Sequence, residues 1–226
     1  GLFKEFNNVQ FITATPLPVE FTPEVLLEYN YVEYEWESGV EVQVVTSMQQ
    51  SPLSAAAKLI DGFKLEGSLN VTTETGEEVE AKELIFFINS TSDIATIIGT
   101  SNLNPGECKI VAADNFSNRS VLSRAFGIEP EYLEIEHASS PNKTFTFVTS
   151  KAFEGVDFYS ETALSIVVSR VSSRNTLLDM NVSLPQIAGR IRTPENKLKN
   201  TILFIYNTSA YGKSEDQLED ELQAGI

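Results

Sequence analysis

The sequence is short of the residue types on which several common functional sites depend. It contains one cysteine, Cys108, and one histidine, His137, among 226 residues. A single cysteine excludes an internal disulfide bond, and together these two residues are too few for a zinc site. A serine hydrolase could use His137, but the sequence has no Gly-x-Ser-x-Gly motif and so gives that alternative no support.

Positive charge is also scarce. The chain has 16 Lys and Arg against 32 Asp and Glu, which gives a formal net charge of −16. Because contacts to phosphate groups rely on Lys and Arg, this balance excludes a protein whose whole surface binds nucleic acid. The acidic residues concentrate in residues 20–41, 74–83, 129–136 and 215–221, whereas residues 165–213 are net basic. A phosphate-binding site is therefore expected in that basic segment.

Two nucleotide-binding motifs and any long apolar run are missing. No Gly-x-x-x-x-Gly-Lys-Ser/Thr loop and no Asp-Glu-x-His/Asp box occurs, and these are the motifs that hold ATP phosphates and Mg²⁺ in many motor enzymes. No run of about 18 apolar residues could span a membrane, and no basic-then-apolar leader opens the chain. A hydrophobic content of 42% is enough for the core of one large or two small domains.

What the sequence does contain is a series of strand patterns that alternate with helix patterns. Helices are expected from Ser51-Pro52 and over Ser117–Phe126, and a hairpin insertion over residues 65–82. Alternating strands and helices imply right-handed crossovers and a parallel sheet. The strands are predicted at Val25–Trp36, Val40–Thr46, Leu84–Asn89, Lys109–Ala113, Thr144–Thr149, Ala163–Val168 and Thr201–Tyr206.

The segment Ser183–Arg192 combines a helix signal with residues suited to an anion. Pro185 can open a helix, on which Gln186 and Arg190 would lie four residues apart on one face, and Gly189 leaves room for a close approach to the backbone. A glutamine and two arginines so close together in an acidic chain indicate a bound anion. Planar guanidinium groups suit phosphate oxygens, so the expected anion is a nucleotide phosphate.

This segment and three others resemble motifs of superfamily 2 helicases, in the family order III, IV, V and VI. The segment Ser183–Arg192 resembles motif VI. The likeness to motif III lies in Phe11-Ile12-Thr13-Ala14-Thr15-Pro16, and the likeness to motif IV lies in Leu84–Ser90. The likeness to motif V lies in Phe147–Phe158, which has the Gly-x-Asp pattern at Gly155 and Asp157.

The resemblance implies a RecA-like three-layer α/β/α fold with a mainly parallel central sheet, preceded by an extended or β segment. Residues 1–23 would be the end of a first RecA-like domain and a linker. Residues 24–213 would be the C-terminal RecA-like domain with the hairpin insertion, and residues 214–226 an acidic tail. The chain would then be the second half of a motor.

The resemblance also implies a role for each residue that matches a motif. Arg190 and Arg192 would be catalytic and reach the γ-phosphate of ATP, which is bound with Mg²⁺ mainly by the first domain; no metal is expected in this chain. The family pattern is Gln-x-x-Gly-Arg-x-x-Arg, and the second arginine here comes one residue early, as in herpesvirus origin-binding helicases and some phage relatives. Which of the two would be the arginine finger, the arginine that stabilises charge on the transferred phosphate group, stays open. The other implied roles are nucleotide binding by Gly155, Asp157, Gln186 and Gly189, nucleic-acid binding by Thr149, Ser150, Ser90 and Thr91, and coupling by Thr13 and Thr15.

The implied partners are the N-terminal RecA-like domain of the same protein and DNA or RNA, without a membrane, in a cytoplasmic protein encoded by a bacterium or phage. One alternative is a non-catalytic RecA-like module that serves protein interaction or regulation. Another, an unrelated α/β nucleotide-binding protein, would need the Gly-rich phosphate loop that the sequence lacks.

Overall fold

A six-stranded, fully parallel sheet forms the centre of the computed structural model, which describes residues 22, 24–27, 42–73, 75–150, 153, 156–172 and 183–208. The sheet strands are β1 (Gln43–Met48), β4 (Glu83–Phe87), β5 (Cys108–Val111), β6 (Phe145–Val148), β7 (Ala163–Ser169) and β8 (Thr201–Tyr206). Their order in the sheet is β1-β8-β7-β4-β6-β5, and every neighbouring pair is parallel. Five of these strands lie where the sequence predicts them, and β1 lies within three residues of its predicted bounds.

Three helices cover the first face of the sheet: α2 (Pro52–Glu66), α3 (Thr91–Thr100) and α4 (Phe116–Phe126). Each begins and ends where local chemistry favours it. Pro52 occupies the first turn of α2, Ser90 caps α3, and the left-handed Gly127 closes α4 at φ 67°. No helix in the described part of the chain is long and apolar enough to cross a membrane.

Side chains of the central strands alternate between two apolar clusters, one on each face of the sheet. In β4, Leu84 and Phe86 point to the first face, whereas Ile85 and Phe87 point to the second, and all four are fully buried. A strand covered on both faces needs such a continuous apolar run, which is why Leu84–Asn89 was recognisable in the sequence. The second face is covered by the short helix α5 (Ser183–Ile187) and by irregular chain around Phe158 and Ile191. The chain therefore has the α/β fold of a RecA-like three-layer domain.

The predicted hairpin insertion is present as β2 (Leu69–Thr72) and β3 (Glu78–Ala81), which pair antiparallel as a separate sheet. Gly76 stands at φ 79° in the connecting turn, a conformation that glycine adopts without strain. The domain boundaries at residues 23 and 213 lie outside the described residues and stay predictions.

The predicted strand Val25–Trp36 is wrong at its start, because Glu24–Leu27 forms the four-residue helix α1. Alternating apolar and polar residues favoured a strand there. The sequence also contains a helix-start signal, Pro23 followed by the acidic Glu24, and the strand prediction gave it too little weight. The remaining residues of that prediction lie outside the described part.

The single cysteine provides a test of the core. Cys108 is buried on the first face, and burial, aided by Glu107, raises the pKa of its thiol to about 12. Because only the thiolate reacts, we expect the folded protein at pH 8 to react with a disulfide reagent about a thousandfold more slowly than the unfolded chain. Absorbance of the released thiol measures the rate, and the same reaction in denaturant is the control. Equal rates with and without denaturant would contradict the burial of this side chain.

Candidate functional site

A backbone bridge brings the segments that resemble motifs V and VI together. Phe158 and Ile191 pair as an isolated parallel bridge. The Phe158 N–H donates to the carbonyl of Arg190 over 2.8 Å, and the Arg192 N–H donates to the carbonyl of Phe158 over 2.9 Å. Phe158 and Ile191 are buried against the second face of the sheet. Since neighbouring side chains of extended chain point to opposite sides, Asp157, Arg190 and Arg192 point away from the sheet.

The three outward side chains form a compact charged group. Nε of Arg192 donates to Oδ1 of Asp157 at 2.9 Å, and Nη1 of Arg190 lies 3.7 Å from the same oxygen. Their side-chain exposures differ, at 15% for Arg190, 49% for Arg192 and 39% for Asp157. One carboxylate therefore orients two guanidinium groups from residues that lie more than 30 positions further along the chain, and it leaves one net positive charge at the surface.

The helix preceding the arginines is shorter than the sequence predicts. It starts at Ser183, so Pro185 is its third residue, and it ends at Ile187. Gly189 follows at φ 73°, a left-handed conformation that turns the chain out of the helix before Arg190. Gln186 and Arg190 are thus not on one helical face. They are linked differently, because Nε of Arg190 donates to the carbonyl of Gln186 at 2.6 Å.

The residues predicted to bind a nucleic-acid backbone gather at the carboxyl ends of β4 and β6. Ser90 accepts a hydrogen bond from the Asp93 N–H at 3.2 Å, and the Thr91 hydroxyl donates to Asn118 at 3.1 Å. Thr149 is buried and Ser150 is exposed. The Ser150 N–H donates to the side-chain oxygen of Asn89 at 3.3 Å, which ties the two strand ends together. Two of the four hydroxyls therefore already have structural partners.

An ion pair that sequence reasoning missed lies at the same edge. Arg170 directly follows β7 and donates to both carboxylate oxygens of Asp93, with Nε to Oδ2 at 2.9 Å and Nη2 to Oδ1 at 2.6 Å. Asp93 is buried in the first turn of α3. The available signal was Asp93 in the turn after Ser90, but nothing in the sequence connected it to an arginine 77 residues away.

A buried lysine supports the bridge from beneath. Nζ of Lys109 donates to the carbonyls of Ala138 and Ser140 and lies 5.7 Å from the centre of the Phe158 ring. Desolvation by burial lowers the pKa of Lys109, opposed by the charges of Glu136 and Glu83. Phe158 is therefore packed between a cationic side chain and the apolar second face, which fixes the backbone next to Asp157.

The remaining predicted residues lie outside the described part of the chain: Gly155, Thr13 and Thr15. Within the described ranges, no group of three or more His, Cys, Asp and Glu could hold a metal ion. The arrangement has the chemistry to meet an anion, because two guanidinium groups share one carboxylate and the half-exposed Arg192 keeps N–H donors near solvent. Comparison with protein-family models and with curated protein sequences gives no match.

The left-handed turn before Arg190 is testable by a pair of glycine substitutions. Gly189→Ala should lower the free energy of unfolding by about 1 kcal/mol, because an L-residue is strained at this φ. The matched control is Gly62→Ala in the middle of α2, where a Cβ meets nothing within 4 Å and should stabilise by about 0.5–1 kcal/mol. Denaturant unfolding measures both. Equal shifts in the two variants would show that residue 189 is not left-handed.

Proposed function

We propose that this chain is the C-terminal RecA-like motor domain of an ATP-dependent nucleic-acid helicase or translocase. In this role it supplies an arginine finger and part of the nucleic-acid cleft to ATP held by a first domain with a phosphate loop. The observation that supports the proposal most is the outward-facing group of Asp157, Arg190 and Arg192. Its three residues are the charged residues of the Gly-x-Asp and Gly-Arg-x-Arg motifs.

The group of Asp157, Arg190 and Arg192 would act by stabilising negative charge. During phosphoryl transfer, charge spreads over the oxygens of the transferred group, and a guanidinium fork brought in from another domain stabilises it. Asp157 holds the Arg192 side chain by a short ion pair, so this arginine is oriented before a nucleotide arrives. Mg²⁺ and the other phosphates would be held by the first domain, and this chain would contribute positive charge.

The carboxyl-edge residues support the nucleic-acid part of the proposal. In open parallel sheets, ligands bind outside the carboxyl ends of the strands. The exposed Ser150 and the N-terminal turn of α3 lie there, and hydroxyl and backbone N–H groups contact phosphates without needing basic residues. A chain with a net charge of −16 needs such neutral contacts.

The alternative function is a RecA-like module for protein interaction or regulation without catalysis. Its support is the edge strand β1, where Val45 and Met48 are both exposed although they are large apolar residues. Exposed apolar side chains on an edge strand suit a protein partner. The two functions differ in whether Arg190 matters for ATP turnover.

The first prediction of the proposed function concerns the chain alone. Because its sequence has no phosphate loop and no acidic box, a highly purified preparation of these 226 residues should hydrolyse ATP no faster than the buffer does. Release of inorganic phosphate measures this. Turnover that copurifies with the chain and saturates with ATP would contradict the proposed division of labour between two domains.

The second prediction concerns the intact protein, in which the chain is joined to its phosphate-loop domain. Arg190→Ala should lower the rate of ATP hydrolysis by about 10³-fold or more, with ATP binding retained, since an arginine finger acts in the transition state. Steady-state kinetics and equilibrium binding separate the two effects. Arg190→Lys should remain slow, because an ammonium group cannot form a planar fork.

The control is Arg124→Ala on the exposed surface of α4, which should leave turnover unchanged. The same assay on Arg192→Ala decides which arginine is the finger. If both arginine variants hydrolyse ATP at the wild-type rate, the motor function is wrong. An intact protein without any ATPase activity would favour the interaction module.

A further inference from the structure

The bridge that orients the arginines also presents an aromatic ring to solvent. Tyr159 follows the buried Phe158, so its side chain points outward on the same side as Asp157, and its exposure is 73%. Two hydrogen bonds hold the backbone of residues 158 and 159 in place. The Phe158 carbonyl accepts from the Arg192 N–H, and the Tyr159 carbonyl accepts from the Asn142 side chain at 3.3 Å.

The charged group and the ring are neighbours on this outward surface. The register of the bridge sets Arg190 beside Asp157 and Arg192 beside Tyr159. The Arg192 side chain nevertheless leans back to Asp157, with Nε 2.9 Å from its carboxylate, so both guanidinium groups gather beside Asp157. The Tyr159 ring stays exposed, and its Cα lies about 6.6 Å from the Cα of Asp157 along the extended chain.

A ligand that matches this surface carries both an anionic group and a flat aromatic ring. A nucleoside triphosphate has that form. We propose that Tyr159 binds the nucleobase of the nucleotide by stacking, while the guanidinium groups of Arg190 and Arg192 meet its phosphates. This inference rests on the proposed function and adds to it the residue that holds the base.

Stacking predicts a change in affinity and none in chemistry. In the intact protein, Tyr159→Ala should raise the KM for ATP about tenfold and leave kcat unchanged, because the ring touches no reacting atom. Tyr159→Phe should retain the wild-type KM, since it keeps the ring. Inhibition by inorganic tripolyphosphate, which has no base, should be equal in the wild type and in Tyr159→Ala.

The matched control is Tyr132→Ala, which removes a ring of 74% exposure from a short 3-10 helix elsewhere on the surface and should change nothing. An unchanged KM in Tyr159→Ala overturns the stacking role, and the proposed function still stands if Arg190→Ala abolishes turnover. Weaker binding of tripolyphosphate in Tyr159→Ala, or a raised KM in Tyr159→Phe, also overturns it. If neither Tyr159 nor Arg190 affects turnover, the proposed function fails as well.

Discussion

The arrangement of charged side chains on this domain depends on one short contact between backbones. Two hydrogen bonds join Phe158 to Arg190 and Arg192, and the inward side chains of the bridge are buried in the second apolar cluster. Burial fixes which way the outward residues point. A polar side chain at position 158 or 191 would therefore disturb the surface group without touching it, because the direction of each arginine follows from the packing beneath.

The sheet supplies the rigid base for this contact. Its central strands alternate apolar residues between two faces. In the described part of the chain, the helix α5 and irregular segments around Phe158 and Ile191 pack on the second face. Among the described residues, two buried polar atoms interrupt the apolar packing of the second face. The Thr146 hydroxyl and one Glu83 carboxylate oxygen are buried without a hydrogen-bond partner, and Thr146 pairs with Lys109 in register. Lys109 lies beside both, in register with Thr146 and in electrostatic contact with Glu83, so its charge offsets part of their desolvation.

Much of the fold could be predicted from the sequence because its strands are buried on both faces and its helices carry local end signals. Thr201–Tyr206 and Phe116–Phe126 are found within one residue of the prediction. The site was harder to predict, since spacing along a helix says nothing about where that helix stops. A glycine at positive φ ends α5 before Arg190, and only the three-dimensional structure reveals the partner of Asp93. Periodicity encodes which residues are buried, whereas contacts between distant segments follow from packing.

The ion pairs that Asp157 forms with the arginines have two opposing effects on phosphate binding. A carboxylate beside two arginines removes part of the positive potential that attracts phosphate, so it weakens the first encounter with an anion. It also holds the guanidinium groups in one place, so less side-chain entropy is lost when the anion arrives. In a chain with 32 acidic residues, an unpaired arginine would readily pair with some other surface carboxylate. A fixed partner on the same bridge holds both arginines together on the side away from the sheet. Orientation of this kind, more than total charge, is what the transfer of a phosphoryl group requires.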